Sequence, residues 1–572
     1  MSLPVEPAPV VSDRYKWIAL SNTTLAILLV TIDGSIVLIA MPSIFRGIQL
    51  DPLKPGNSFY LLWMILGFLV VGSVLVVSFG RLGDMFGRVR MYTLGFVIFT
   101  LASVMLAIDW MSGPAGADWL ISWRFVLGIG GAFLFANSVA ILTDAFPPHQ
   151  RGLALGLNNI VAISGQFIGL VLGGLLAAID WRLVFLVPLP FAVFGTIWSH
   201  LSLRELGERR PARIDWGGNL TFAIGLVLVM IGITYGIRPY GGHPMGWTSP
   251  FVLGAIGCGI ALLALFAYIE TRVESPMFEL SLFRIRAYTF GVLSSFLSAL
   301  ARGGLMFMLI IWLQGIWLPE HGRSFGSTPL WAGIYLLPLT LGFLVAGPIS
   351  GFLSDRYGSR GFATGGMLMT ALAFALLERL PIGFTYPEFA GIIFVMGLSM
   401  GAFASPNRAG VMNSLPARYR GAGGGMNQTF QNSAQVLSIG IFFTLMIVGL
   451  AATLPHALAT GLERHGVPAA TASQVGHLPP ISVLFAAFLG ADPAKTLLGP
   501  HVLAHLPATQ AAAISGHSFF PSLISEAFRD GLHSAFTFAI VICIIAAAAS
   551  WSRGGRAATE EAPAHRAEAQ SS

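Results

Sequence analysis

Charged side chains inside long apolar runs are the residues of this chain with the clearest chemical potential. Asp33 lies in the middle of LAILLVTIDGSIVLIAMP, Arg124 follows Trp123 at the head of a glycine-rich run, and Arg302 and Arg408 interrupt two further runs. A charge in such a place is costly unless it is paired, hydrated or, for an acid, protonated, so each is a functional candidate by default. A carboxylate that exchanges a proton there is what a proton carrier requires, whereas one fixed to a neighbouring arginine would be structural. Arg124 reads either as a guanidinium turned to the interior or as an interfacial arginine reaching the outer surface beside Trp119 and Trp123. Arg408 suits either an anionic substrate group or the end of a neighbouring helix.

A second charged cluster is GRLGDMFGRVR at Gly80–Arg90, flanked by FYLLWMILGFLVVGSVLVVSF and MYTLGFVIFTLASVMLAI. Each flank has about the ~20 residues that a helix needs to cross a bilayer. The glycine-punctuated turn therefore sits at a membrane face, and its arginines assign that face to the cytoplasm. Asp84, Arg88 and Arg90, with Gly80 and Gly87 to turn the chain, form a candidate cytoplasmic gate. Such ion pairs can hold helix ends together in one conformation and release them in another.

The whole composition agrees with a membrane-embedded chain. Of 572 residues, 55% are hydrophobic and 10% charged, with a mean hydropathy of +0.75; soluble chains carry about 25% charged residues. The net charge of +6 reflects positively charged inner loops rather than nucleic-acid binding. The two cysteines, Cys258 and Cys543, both lie in apolar runs, so no disulfide framework or cysteine metal site is indicated. Fourteen apolar runs predict an all-α polytopic protein with both termini cytoplasmic, most Lys and Arg lying on the side of the Gly80–Arg90 turn.

The chain divides into a tail (1–16), a six-helix bundle (17–203), linkers with two inserted helices (204–287), a second six-helix bundle (288–551) and a polar tail (552–572). The second bundle includes a long outer loop, 451–531, with His456, His465, His477, His501, His505 and His517. His501 and His505 stand at i,i+4 spacing, but without a third ligand no metal site is expected. Within that loop ISVLFAAFLG is too short to span and reads as an interfacial or cap helix.

An internal repeat links the bundles. GRLGDMFGR at Gly80 is echoed by GFLSDRYGS at Gly351 (offset 271), and GAFLFANS at Gly131 by GAFASPNR at Gly401 (offset 270). Arg151-Gly152, Asn158 and Asp33-Gly34 recur as Arg420-Gly421, Asn427 and Arg302-Gly303 at offset 269. Duplicated bundles are transporter architecture, with a binding site between the halves near the bilayer midplane. The repeat adds Asp355 and Arg356 to the gate as a weaker second copy. It also places Arg302 opposite Asp33, so these two are expected to pair across the central cavity. Asn137, Gln166, Asn407 and Asn427 are candidate polar residues of that cavity, and Trp63, Phe167 and Phe307 candidate aromatic ones. Gly165, Gly169, Gly173 and Gly174 recur about every four residues, a face that lets helices approach closely.

These residues resemble the Major Facilitator Superfamily, and within it the fourteen-span drug–proton antiporter branch of multidrug and quaternary-ammonium exporters. Gly80–Arg90 is similar to the loop signature between the second and third helices, and Ser354–Arg360 to its second copy. Trp123 through Ala132 resembles the helix-four arginine motif, and Ile32-Asp33-Gly34-Ser35 through Ala40-Met41-Pro42 the first-helix aspartate motif. Gly165 through Gly174 is similar to the helix-five antiporter motif, with Leu170 in place of its proline; Leu127 stands where the helix-four motif often has glutamine.

The resemblance implies a secondary transporter of the inner membrane, exporting small amphipathic compounds by alternating access. Asp33 would then couple to protons, with Arg124 modulating their uptake and release. The proton gradient would be the energy source, with no cofactor, and a periplasmic adaptor protein a possible partner. An importer or symporter of a polar solute is the alternative, and a membrane sensor or enzyme on this fold a remoter one. Against an enzyme or an ATP-driven pump, the chain has no GxxxxGK[ST] loop, no zinc motif and no nucleophile–base pair at a recognised spacing.

Overall fold

The computed structural model describes the chain except residues 1–12, 52, 55, 148–149, 207–214, 243–244, 274–275, 277, 417–418, 491–497, 499–504, 517 and 555–572. Most of both expected tails and part of the first linker therefore lie outside the described residues. Among the described residues, fourteen helices are long and apolar enough to cross a membrane. Spans 1–6 are Arg14–Gly47, Phe59–Phe86, Arg88–Ala107, Gly113–Ala145, Ala154–Ala177 and Leu183–Ser202. The inserted spans 7 and 8 are Trp216–Gly236 and Pro250–Glu270. Spans 9–14 are Arg286–Glu320, Thr328–Tyr357, Ser359–Glu378, Tyr386–Asn413, Ala422–Arg464 and Phe519–Ser552.

The turns that separate spans follow from local chemistry. Span 2 ends where Gly87 takes φ 110°, its N–H closing on Gly83 O at 2.9 Å. Span 10 ends in the same way at Gly358, φ 91°, with its N–H on Ser354 O at 2.8 Å. Side chains rarely adopt such φ values, so glycine is required at both copies of the turn. Span 12 opens on a capping box in which Glu388 accepts the Thr385 N–H at 3.1 Å.

The halves are built on one packing plan. Span 1 packs on 4, 5 and 6, and span 4 on 2 and 3; span 9 packs on 12, 13 and 14, and span 12 on 10 and 11. Span 5 lies flush against span 1 because Gly165, Gly169 and Gly173 face Thr31, Ser35 and Ile39, where an added Cβ would collide. Gly174 does not share that face. It meets Leu330 of span 10, and Gly333 of span 10 in turn lies against the Leu170 carbonyl, so this contact joins the two halves. Spans 7 and 8 pack on each other, and span 7 docks on spans 2 and 13.

The segment expected as a long outer loop is mostly helix. Span 13 continues through Pro455 to Arg464, and span 14 begins at Phe519. Between them, Ala469–Gly476 and Pro480–Leu489 meet at a 90° bend. All ten residues Pro480–Leu489 are buried, and the helix contacts spans 1, 2, 9 and 13. It is an internal wedge rather than a surface cap helix, as its uniformly apolar sequence allows. His501 and His517 lie outside the described residues.

Candidate functional site

Asp33 stands in the middle of span 1 and Arg124 one-third of the way along span 4, and the two meet inside the first half. Arg124 Nη1 donates to Asp33 Oδ2 at 2.5 Å, and both side chains are 1% exposed. Arg124 Nε donates to the Met64 carbonyl at 3.2 Å, and the guanidinium lies 4.8 Å from the Phe68 ring centroid. Of the two readings of Arg124, the structure has the guanidinium turned to the interior rather than reaching an outer surface. One expectation is corrected: the partner of Asp33 is Arg124, not Arg302. A buried charge is stable only with a partner of good geometry, and span 4 packs directly on span 1 whereas span 9 does not present its arginine there.

A cavity of about 350 Å³ lies between the halves. Its first-half wall includes Thr31, Gly34, Ser35, Phe68, Gln166 and Phe167, and its second-half wall Arg302, Phe307, Phe343, Asn432 and Gln435. Phe68 lines the cavity and also covers Arg124, so the ion pair sits behind this ring, outside the cavity wall. At the end away from Gly80–Arg90, the cavity is closed by the Gly174–Leu330 contact, the Pro480–Leu489 wedge and a hydrogen bond from Gln314 Nε2 to Ile39 O at 3.3 Å.

Arg302 reaches the cavity through a break in span 9. Its helix, Arg286–Arg302, stops at Gly303-Gly304 and restarts at Leu305. Ser438 Oγ bridges the break, accepting the Gly304 N–H at 2.9 Å and donating to Leu300 O at 2.5 Å. Arg302 makes no hydrogen bond or ion pair among the described residues. Arg408 is exposed on span 12 and is not part of the cavity wall.

Of the expected polar lining residues, only Gln166 is in place. Asn137 is fully buried, donates to Phe133 O at 2.9 Å and lies against Gly83, tying span 4 to span 2. Asn407 donates to Ser295 Oγ at 2.6 Å and accepts from Arg553. Burial pushes that arginine, just beyond span 14, down to about 10. Asn427 is buried away from the wall, and so is Trp63. Asn137 and Asn407 thus bond between or within helices, the usual fate of polar groups on packed faces, whereas Asn427 Oδ1 and Trp63 Nε1 have no hydrogen-bond partner among the described residues. Sequence reasoning passed over Asn432 and Gln435. The repeat signals the second, since Gln435 follows Gln166 at the same offset of 269 that relates Arg302 to Asp33.

At the Gly80 end, Arg88 bonds Asp84 at 2.7 Å and Asp144, at the end of span 4, at 2.5 Å. Glu205 accepts the Arg90 N–H at 3.0 Å, and Arg81 donates to the Pro276 carbonyl. The cluster thus ties spans 2, 3 and 4 to the linkers that follow spans 6 and 8. Asp144 was missing from the expected gate because it lies 54 residues beyond Arg90 in the sequence. In the second copy, Asp355 is exposed and has no hydrogen bond or ion pair among the described residues, and Arg356 lies on Phe352, 4.6 Å from its ring centroid.

The sequence profile of the Major Facilitator Superfamily matches residues 23–214 and again 212–439. The chain belongs to the Major Facilitator Superfamily. It is a multi-pass membrane transporter, and its relatives in this superfamily are transporters rather than enzymes. It is 25% identical over 539 residues to the tetracenomycin C resistance and export protein of Streptomyces glaucescens, covering 93% of this chain and 90% of that one. It is 28% identical to the methyl viologen resistance protein SmvA of Salmonella typhimurium, over 80% of this chain and 88% of that one. It is 26% identical to the riboflavin transporter RibZ of Clostridioides difficile, over 75% and 88%. Among superfamily structures, that of a bacterial homologue of the human lysosomal transporter Spinster, inward-facing and unoccupied, has a TM-score of 0.60 at 16% identity, covering 95% and 98%.

Proposed function

We propose that this transporter exports small amphipathic, drug-like compounds in exchange for protons, by alternating access of the central cavity. One observation carries the reading: a largely apolar cavity between duplicated halves, sealed at one end, with the buried Asp33–Arg124 pair one aromatic ring behind its wall. Protonation of Asp33 removes half of that pair and frees Arg124, which gives a charge change deep in the membrane something to act on. Relatives named for tetracenomycin C resistance and export and for methyl viologen resistance support an export role.

In this reading the proton gradient is the energy source, no cofactor takes part, and the Gly80–Arg90 face is cytoplasmic. The cluster of Arg88, Asp84 and Asp144 braces the inner ends of the first bundle, with Gly87 forming the turn; Gly80, expected to turn the chain as well, lies within the helix of span 2. A periplasmic adaptor would meet the helices Ala469–Gly476 and Ala508–Ile514 between spans 13 and 14.

Efflux from energised vesicles tests the reading. Wild-type efflux should collapse with a protonophore, and Asp33→Asn should transport at background rate. Efflux that survives both treatments removes proton coupling, and growth on a polar solute without efflux would favour import instead.

A further inference from the structure

We propose that the cavity selects amphipathic organic anions, an aromatic or alkyl body carrying one carboxylate or comparable acid group, and that Arg302 binds the acid group. The proposal rests on reading the cavity as the transport site and adds the charge of what enters it.

Among the described residues that line the cavity, Arg302 alone carries an ionisable side chain. The acid that the repeat sets opposite it, Asp33, is held by Arg124 on the far side of Phe68 and does not line the wall. Arg302 itself has no hydrogen bond or ion pair among the described residues, so its charge is not neutralised by the protein. Its place at the C-terminus of its helix favours a cation through the partial negative charge of the free carbonyls but supplies no counter-ion. The break at Gly303-Gly304, fixed by Ser438, holds it there.

An acid group entering the cavity completes the missing pair. A guanidinium binds a carboxylate through a planar fork of charge-assisted hydrogen bonds, and these are strong where bulk water is scarce. The remaining wall suits an apolar body, with Phe68, Phe135, Phe167, Phe307 and Phe343 around it. A cationic amphiphile would bring a second positive charge beside Arg302 with no acid in the wall to receive it.

Binding to purified protein, followed by tryptophan fluorescence, separates this proposal from the transport reading because it needs no gradient. The probes are 1-naphthylacetate, its methyl ester, and the trimethylammonium analogue on the same ring. Wild type should bind the carboxylate at least about 10-fold more tightly than either analogue, the margin of a charged hydrogen-bonded contact. Arg302→Gln should erase that preference, Arg302→Lys should keep part of it, and ester affinity should be the same in all three proteins, which also reports an intact cavity. Equal or tighter binding of the ester or the cation overturns the proposal, as does carboxylate binding that is undetectable or unchanged in Arg302→Gln. Selective, Arg302-dependent binding without proton-driven efflux would sustain it while removing the exporter reading.

Discussion

Asp33 and Arg302 occupy equivalent positions in the two halves, yet the first is locked in an ion pair at 2.5 Å and the second stands unpaired over the cavity. The difference lies in their surroundings. The position that supplies Arg124 in the first half supplies Phe394 in the second, at the repeat offset of 270, so Arg302 has no counterpart to meet. The two membrane-face turns differ in the same way. Arg88 and Asp144 are matched by Ser359 and Ser414, leaving Asp355 without the partners that hold Asp84. Duplication conserved the positions of helices and turns and left the charges free to change. The first half pairs Asp33 with Arg124 and Arg88 with Asp84 and Asp144; the second keeps Arg302 facing whatever enters the cavity.

The largest effect should come from breaking the first-half pair. Arg124→Gln leaves a buried carboxylate without a partner and should cost about 3–5 kcal/mol of stability, read as a lower unfolding temperature in detergent. Adding Asp33→Asn should recover much of that loss. Exchanging Asp33 and Arg124 should rescue folding better than exchanging Asp33 and Arg302; the reverse result would break the assignment of partners.

Gly174→Leu should come next. Its side chain must displace Leu330 of the other half, and overpacking costs about 1–3 kcal/mol. Because that cost falls on one conformation, a cysteine at Leu330 should become more accessible to a water-soluble thiol reagent in the variant. Unchanged labelling would show that this contact does not close the cavity.

Asp144→Asn should be milder, about 1 kcal/mol, since Arg88 and Asp144 are 25% and 22% exposed and partly screened. Asp355→Asn should change stability by less than about 0.5 kcal/mol, as expected of an exposed group outside any network. A loss at Asp355 as large as that at Asp144 would restore symmetry between the two turns.

Much of this molecule was legible in its residues. Apolar run length, the Arg-rich turns and the near-constant offset determined fourteen spans, two related halves and an inserted pair, because crossing a bilayer demands long helices whatever their neighbours. Gly87 and Gly358 declared their turns for an equally local reason. Asp33 and Arg124 were recognisable as functional candidates from the cost of a charge in an apolar run. Their being partners was not, nor was the removal of Asn137 and Asn407 from the cavity, nor the burial of Pro480–Leu489 between the halves. The Gly80–Arg90 turn showed its charges but not Asp144, which completes them. Partners are set by which helix faces meet, and neither repeat offset nor hydropathy encodes the rotation of a helix about its axis. Only the tertiary structure decided that Asp33 turns inward to span 4 while Arg302, at the same repeat position, opens onto the cavity.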